Sequence, residues 1–233
     1  MSPIRLADFH SVVFFIGAGM SAESGVPTYR GAGGIWGQYR YEEYACQRAF
    51  DRDPVKVLDF HELRRGMVLE CAPHAGHAAL AALQAAHPRV HVVTQNIDGM
   101  LQRAGVQVAA ELHGSLWRLR CAQHGVREDL AAAAYQSRHC EQCGATLRPD
   151  ITWFEDMVDE TVFARAGELI ATSALFVSVG TSAVVYPAAS FIPLAQRAGA
   201  YMIEVNPEAT DASRLFERCI TEPASTAIGA HFV

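Results

Sequence analysis

A chain of 233 residues, half of them apolar and 19% charged, is long enough for one sizeable packed domain, or a large domain with a small satellite. Its net charge of −6 argues against a dedicated nucleic-acid binder, whose footprint is basic, and no apolar run approaches the roughly 18–20 residues that span a bilayer. Met1–His10 lacks a basic segment followed by an apolar one, and six cysteines without an export signal do not read as a disulfide framework, so a reduced cytoplasmic protein with no membrane partner is expected.

Val12–Ile16 is a short uncharged run of β-branched and aromatic residues and reads as a buried parallel strand. Gly17, Gly19 and Ala22 follow it as G-x-G-x-x-A, the pattern that lets a backbone approach a pyrophosphate at the start of a helix. A glycine turn of this kind also occurs without any ligand. Ser24–Gly31 and then Gly33-Gly34 end the helix early and carry Arg30 into a loop able to fold over a nucleotide. Tyr39–Phe50 is polar and aromatic without a clear period. Pro54–Met67 is predicted helical, with proline at a first helical position and His61 and Arg64 three apart on one face. Taken by themselves, Arg64 and Arg65 read as a solvated helix end.

Ala72–Ala86 is a small-residue helix beginning near Pro73, in which His74 and His77 serve packing or capping. Val90–Thr94 is a second buried strand and runs into Gln95-Asn96-Ile97-Asp98-Gly99, polar residues placed where an open α/β sheet binds ligands, although the same residues make good turns. Val106–Leu112 is strand-like and delivers His113-Gly114-Ser115. Cys121, His124, Cys140 and Cys143 form C-x2-H-x15-C-x2-C, close to a zinc-ribbon spacing, with His139 as another candidate for the fourth ligand. Four protein ligands leave no open position for water, so the zinc is expected to be structural.

Ile151–Phe154 has strand composition. Thr161–Thr172 is predicted helical and Ala174–Val179 a buried strand leading to Gly180-Thr181-Ser182. Tyr186-Pro187 opens a helix, Ala200–Val205 is a strand ending at Asn206, and Ala209–Arg218 closes the chain as a helix. These elements describe an α/β chain with a doubly wound parallel sheet.

The stretch GAGMSAESGVPTYRGAGGIW resembles the signature of the sirtuins, NAD-dependent protein lysine deacylases, and most of all the branch associated with acidic acyl groups. Gln95–Gly99, His113-Gly114, the cysteine block and LRPDITWFEDM match the family in the same order, so the resemblance spans nearly the whole chain. It implies a Rossmann-like NAD-binding domain over 1–38, 77–118 and 149–233, a helical insertion over 39–76 and a zinc-binding insertion over 119–148, in which His124 replaces a family cysteine. NAD is expected against Gly17, Ala18, Gly19, Ser21, Ala22, Tyr29, Arg30, Trp36, Gln95, Asn96, Ile97, Asp98, Gly180, Thr181, Ser182, Asn206 and Ala224. By the same resemblance Asn96 and Asp98 order the nicotinamide end, and His113 is the general base that activates a ribose hydroxyl after the acyl oxygen of the modified lysine has displaced nicotinamide.

Substrate, an acyl-lysine-bearing protein or peptide, is expected against His61, Arg64, Thr152, Trp153 and Phe154. The last three are expected to pair with it as an added strand. The acidic-acyl branch carries Tyr-x-x-Arg where this chain has His61-Glu62-Leu63-Arg64, so Arg64 would grip a distal carboxylate and His61 would donate a hydrogen bond to it, with added charge when protonated. Two further departures are Ile16 for a threonine at the cofactor edge and Glu155 for a glycine, which is strained if that position has φ > 0. Rival readings are an NAD glycohydrolase or ADP-ribosyltransferase on the same scaffold, a nicotinamide dehydrogenase, and a non-catalytic zinc-ribbon interaction module.

Overall fold

The computed structural model describes residues 2–29, 34–130 and 132–233. Its strands are β1 (Val12–Ile16), β2 (Val90–Thr94), β3 (Val108–Glu111), β4 (Gly114–Cys121), β5 (Gly125–Glu128), β6 (Arg148–Ile151), β7 (Leu175–Val179), β8 (Tyr201–Val205) and β9 (Arg218–Ile220). Six of them form a parallel sheet in the order β3-β2-β1-β7-β8-β9, and β5-β4-β6 form a small antiparallel one. The helices are α1 (Gly19–Ala22), α2 (Ile35–Gln38), α3 (Tyr41–Tyr44), α4 (Gln47–Arg52), α5 (Pro54–Leu69), α6 (Ala75–Ala86), α7 (Met100–Arg103), α8 (Glu160–Ala171), α9 (Phe191–Arg197) and α10 (Ala224–His231).

β1 and β7 are apolar almost throughout because both faces of the sheet are covered. Val12, Phe14 and Ile16 face Leu80 of α6 and Ala227 and Ile228 of α10, while Val13 and Phe15 face Ile170 of α8 and Phe191 of α9. Ile16, the last residue of β1, is fully buried in the sheet core directly before Gly17. From β1 the chain winds outward through β2 and β3, returns to β7 beside β1, and winds outward again. The switch point, where such sheets bind ligands, lies between β1 and β7.

Tyr39–Phe50, which has no period in the sequence, folds as short helices held by rings: Tyr39, Tyr44 and Phe60 pack with centroids 4.7–5.5 Å apart. Asp53 caps α5 by accepting from the Lys56 amide, and α6 starts at Ala75 with His74 as its cap. The helix expected over Ala209–Arg218 is replaced by a single 3-10 turn, Ser213–Leu215, and Arg218 opens β9. The buried Glu204 carboxylate accepts from the Thr210 and Ser213 hydroxyls, and such side-chain bonds compete with helical ones. The closing helix is α10.

Candidate active site

The switch point is built from glycines that touch each other. A Cβ on Gly17 would lie 2.7 Å from the Gly180 carbonyl oxygen, and one on Gly180, where φ is +60°, would lie 2.3 Å from the Met20 amide nitrogen. The Gly17 and Gly19 amides donate to the Val179 and Gly180 carbonyls, so the loop after β1 and the loop after β7 are knitted together. Ala18 caps the single turn of α1, which holds Ser21 and Ala22. From the end of β2, Asn96 Nδ2 donates to the Gly17 carbonyl (3.0 Å) and lies 3.4 Å from Ser21 Oγ, while Gln95 donates to Thr181 Oγ1 (3.2 Å). Asn206 Nδ2 donates to the Thr181 carbonyl. Ser182 follows on the exposed side. Ala224 opens α10 and is buried, with Ser225 bonded to Glu23 just past α1. Arg30, expected against the cofactor, lies outside the described residues.

His113 stands between β3 and β4. Its Nδ1 donates to the Gln95 carbonyl (2.9 Å), which fixes the tautomer and leaves Nε2 as an acceptor. Burial holds its pKa below the usual 6.5, and the Gln95 bond opposes that only in part. Asp98 is buried and its pKa is raised by burial, against the Met100 amide, Ser21 and the charges of Arg64 and Arg103. Trp117, which no sequence signal marked, donates to the Asp98 carbonyl (2.7 Å) and bars any side chain at Gly99. Ile97 is buried beside it.

The third wall comes from α5 and the segment after β6. Arg64 is 4% exposed, its guanidinium 5.1 Å from the Tyr29 ring centre, and its Nε has no hydrogen-bond partner among the described residues. Tyr29 leans on Trp36, and Trp36 meets Phe154 edge to face at 5.5 Å. His61, expected to donate to a ligand, has both nitrogens engaged within the protein: its Nδ1 donates to the Val57 carbonyl (2.8 Å) and its Nε2 accepts from the Trp153 indole (3.2 Å). Nor are the amides of the expected added strand free. Those of Thr152, Trp153 and Phe154 donate to the His113 carbonyl, Asp156 and the Ala45 carbonyl. Glu155 has φ +72° and pairs with Arg48 at 2.9 Å.

Arg65 corrects the reading of a solvated helix end. It is fully buried, lies between the Trp117 and Tyr135 rings, pairs with Asp129 at 2.8 Å and donates to the Ala132 carbonyl. This ties α5 to the cysteine module. There, Cys121, His124, Cys140 and Cys143 bring donor atoms within 4.8 Å of one another, with Cys121 Sγ 3.6 Å from Cys143 Sγ and Cys140 Sγ 3.4 Å from His124 Nδ1. Three thiolates and an imidazole at this spacing fit a closed tetrahedral zinc site. His139 is not in the group, its amide being turned to Ser137 Oγ.

A model of the Sir2 family matches residues 17–187. The chain is 39% identical over 220 residues to an NAD-dependent protein deacylase of Aquifex aeolicus (strain VF5), covering 94% of this chain and 92% of that one. It is 35% identical over 259 aligned positions to the mitochondrial NAD-dependent protein deacylase sirtuin-5 of Canis lupus familiaris, covering 96% and 84%. A solved complex of a Sir2 homologue with NAD superposes with a TM-score of 0.87 at 34% identity, covering 96% of this chain and 88% of that one.

Proposed function

The chain belongs to the Sir2 family, and from that premise we propose that it removes acyl groups from protein lysines while consuming NAD, releasing nicotinamide and O-acyl-ADP-ribose. The observation that carries this reading is the convergence at one sheet switch point of a glycine cradle, Asn96, Asp98 and a histidine whose Nε2 is held as an acceptor. Bound there, NAD supplies a glycosidic bond as the reactive group, and its redox state does not change. Gln95, Asn96, Thr181 and Asn206 bind and orient it from the strand ends. His113 takes the proton of a ribose hydroxyl on Nε2, which burial keeps unprotonated near neutral pH. Tyr29 and Trp36 screen the reacting centre from water. Zinc on the Cys3His set supplies order to its module and no catalytic step.

The acyl-lysine enters between α5 and the Thr152–Phe154 segment. Acetyl groups are accepted, and the buried Arg64 guanidinium, with an unused Nε donor, favours acyl chains ending in a carboxylate. The test is mass spectrometry of acetyl-, malonyl- and succinyl-lysine peptides incubated with NAD and either the native chain or Arg64→Met. Loss of acidic-acyl turnover alone supports the assignment; equal loss for every acyl group makes Arg64 structural. Nicotinamide release without any acylated peptide would favour a glycohydrolase instead.

A further inference from the structure

His61 occupies a place on α5 from which a side chain is expected to reach the acyl group, yet both of its nitrogens are engaged by the protein. The Val57 carbonyl can only accept and the Trp153 indole N–H can only donate, so the imidazole is neutral, with its hydrogen on Nδ1 and its lone pair on Nε2. It is 3% exposed, and its ring centre lies 5.6 Å from that of Trp153. On the other contacts of Trp153, the Arg148 guanidinium stands 3.8 Å from the ring centre and Phe50 packs at 5.7 Å. Trp153 has no freedom of its own once the indole N–H is bound.

We propose that His61 is a positioning residue for Trp153: its Nε2 holds the indole, and through it the Thr152–Phe154 wall of the acyl-lysine site, while Arg64 alone meets the distal end of the acyl group. The kinetic part rests on the deacylase reading; the bond itself does not. A phenylalanine at position 61 keeps a ring and removes the acceptor, which leaves the buried indole N–H unpaired. A glutamine keeps an acceptor where Nε2 now stands. On the deacylase reading, the Thr152–Phe154 wall lines the lysine and Arg64 the acyl terminus, so losing the acceptor is expected to disturb all acyl substrates alike.

The experiment begins with uniformly 15N-labelled native protein. The imidazole 15N shifts of His61 should report the Nδ1–H tautomer, with a coupling across the hydrogen bond to the Trp153 indole nitrogen, assigned by its loss in Trp153→Phe. His61→Phe should shift the Trp153 indole resonance and raise KM several-fold for acetyl- and succinyl-lysine peptides equally, with little change in kcat, and His61→Gln should restore both. An Nε2–H tautomer in the native protein, or an unmoved indole resonance in His61→Phe, overturns the proposal even if no turnover is seen with any substrate. Selective loss of succinyl turnover also overturns it, since that is the mark of direct contact with the acyl carboxylate.

Discussion

His113 is half-buried and Asp98 buried, and the loss of solvent moves their protonation in opposite directions: the imidazole is pushed down from 6.5 and the carboxyl up from 3.8. For His113 the sign is useful, because a base is active only when unprotonated. kcat/KM is therefore expected to stay level as the pH falls through 6.5 and to decline only below the depressed pKa, a profile read from initial rates of nicotinamide release at peptide concentrations well below KM. His113→Ala should lower deacylation by about 10²–10⁴-fold with unchanged circular dichroism, since the side chain makes one bond and caps no element. Glu155 is a residue-scale test of backbone strain. A non-glycine residue at φ +72° is disfavoured by about 1–2 kcal/mol. Its Arg48 pair is more than half exposed on both sides and returns little of that. Glu155→Gly should be more stable than Glu155→Ala by about 1 kcal/mol in urea melts, because both lose the ion pair and only alanine keeps the strain.

At the scale of elements, α5 is the piece that joins the cysteine module to the candidate site. One stretch of it sets His61 against Trp153 and Arg64 against Tyr29, and Arg65, one residue on, plugs into the cysteine module. Asp129→Ala would leave the guanidinium buried without its counter-charge and should cost about 3–5 kcal/mol, measured by urea unfolding, with the double change Arg65→Met and Asp129→Ala losing less because no unpaired charge stays behind. The sequence could not reveal this, since adjacent arginines at a helix end look solvated until Asp129 and Ala132, more than sixty positions later, fold over them. The central strands were legible for the opposite reason. Their β-branched runs are buried on both faces and need no distant partner to be recognised, and the polar residues at their ends point out the ligand site. Ala209–Arg218 misled because its turn is dictated by a buried Glu204 on β8, and the use of the Thr152–Phe154 amides by His113, Ala45 and Asp156 is likewise a tertiary fact. Departures such as His61 could be seen in the chain, but not what the imidazole does.

For the whole molecule, we propose the division into a sheet domain and two insertions, with β4 and β6 running across the boundaries at 118–119 and 148–149, so that the small sheet serves as the hinge of the cysteine module on the main sheet. The acid stability of the chain reports on every buried imidazole at once. Burial carries His61 from 6.5 down to about 4, with the charges of Arg64 and Arg148 adding to the effect, and carries His77 to about 4 with help from His74. The folded state keeps both neutral, whereas the unfolded chain takes up protons near 6.5, so it binds more protons throughout the interval between about 4 and 6.5. Stability is therefore full above about 6.5 and is lost as the pH falls toward about 4, and His61 alone contributes on the order of 3 kcal/mol to that loss. Carboxylates add their own slope in the same interval, and comparison with His61→Gln removes it. Urea unfolding at pH 7, 5.5 and 4.5 should show the native chain falling more steeply than His61→Gln, with the two curves converging in acid; parallel curves would mean that the buried imidazole titrates as it does in water.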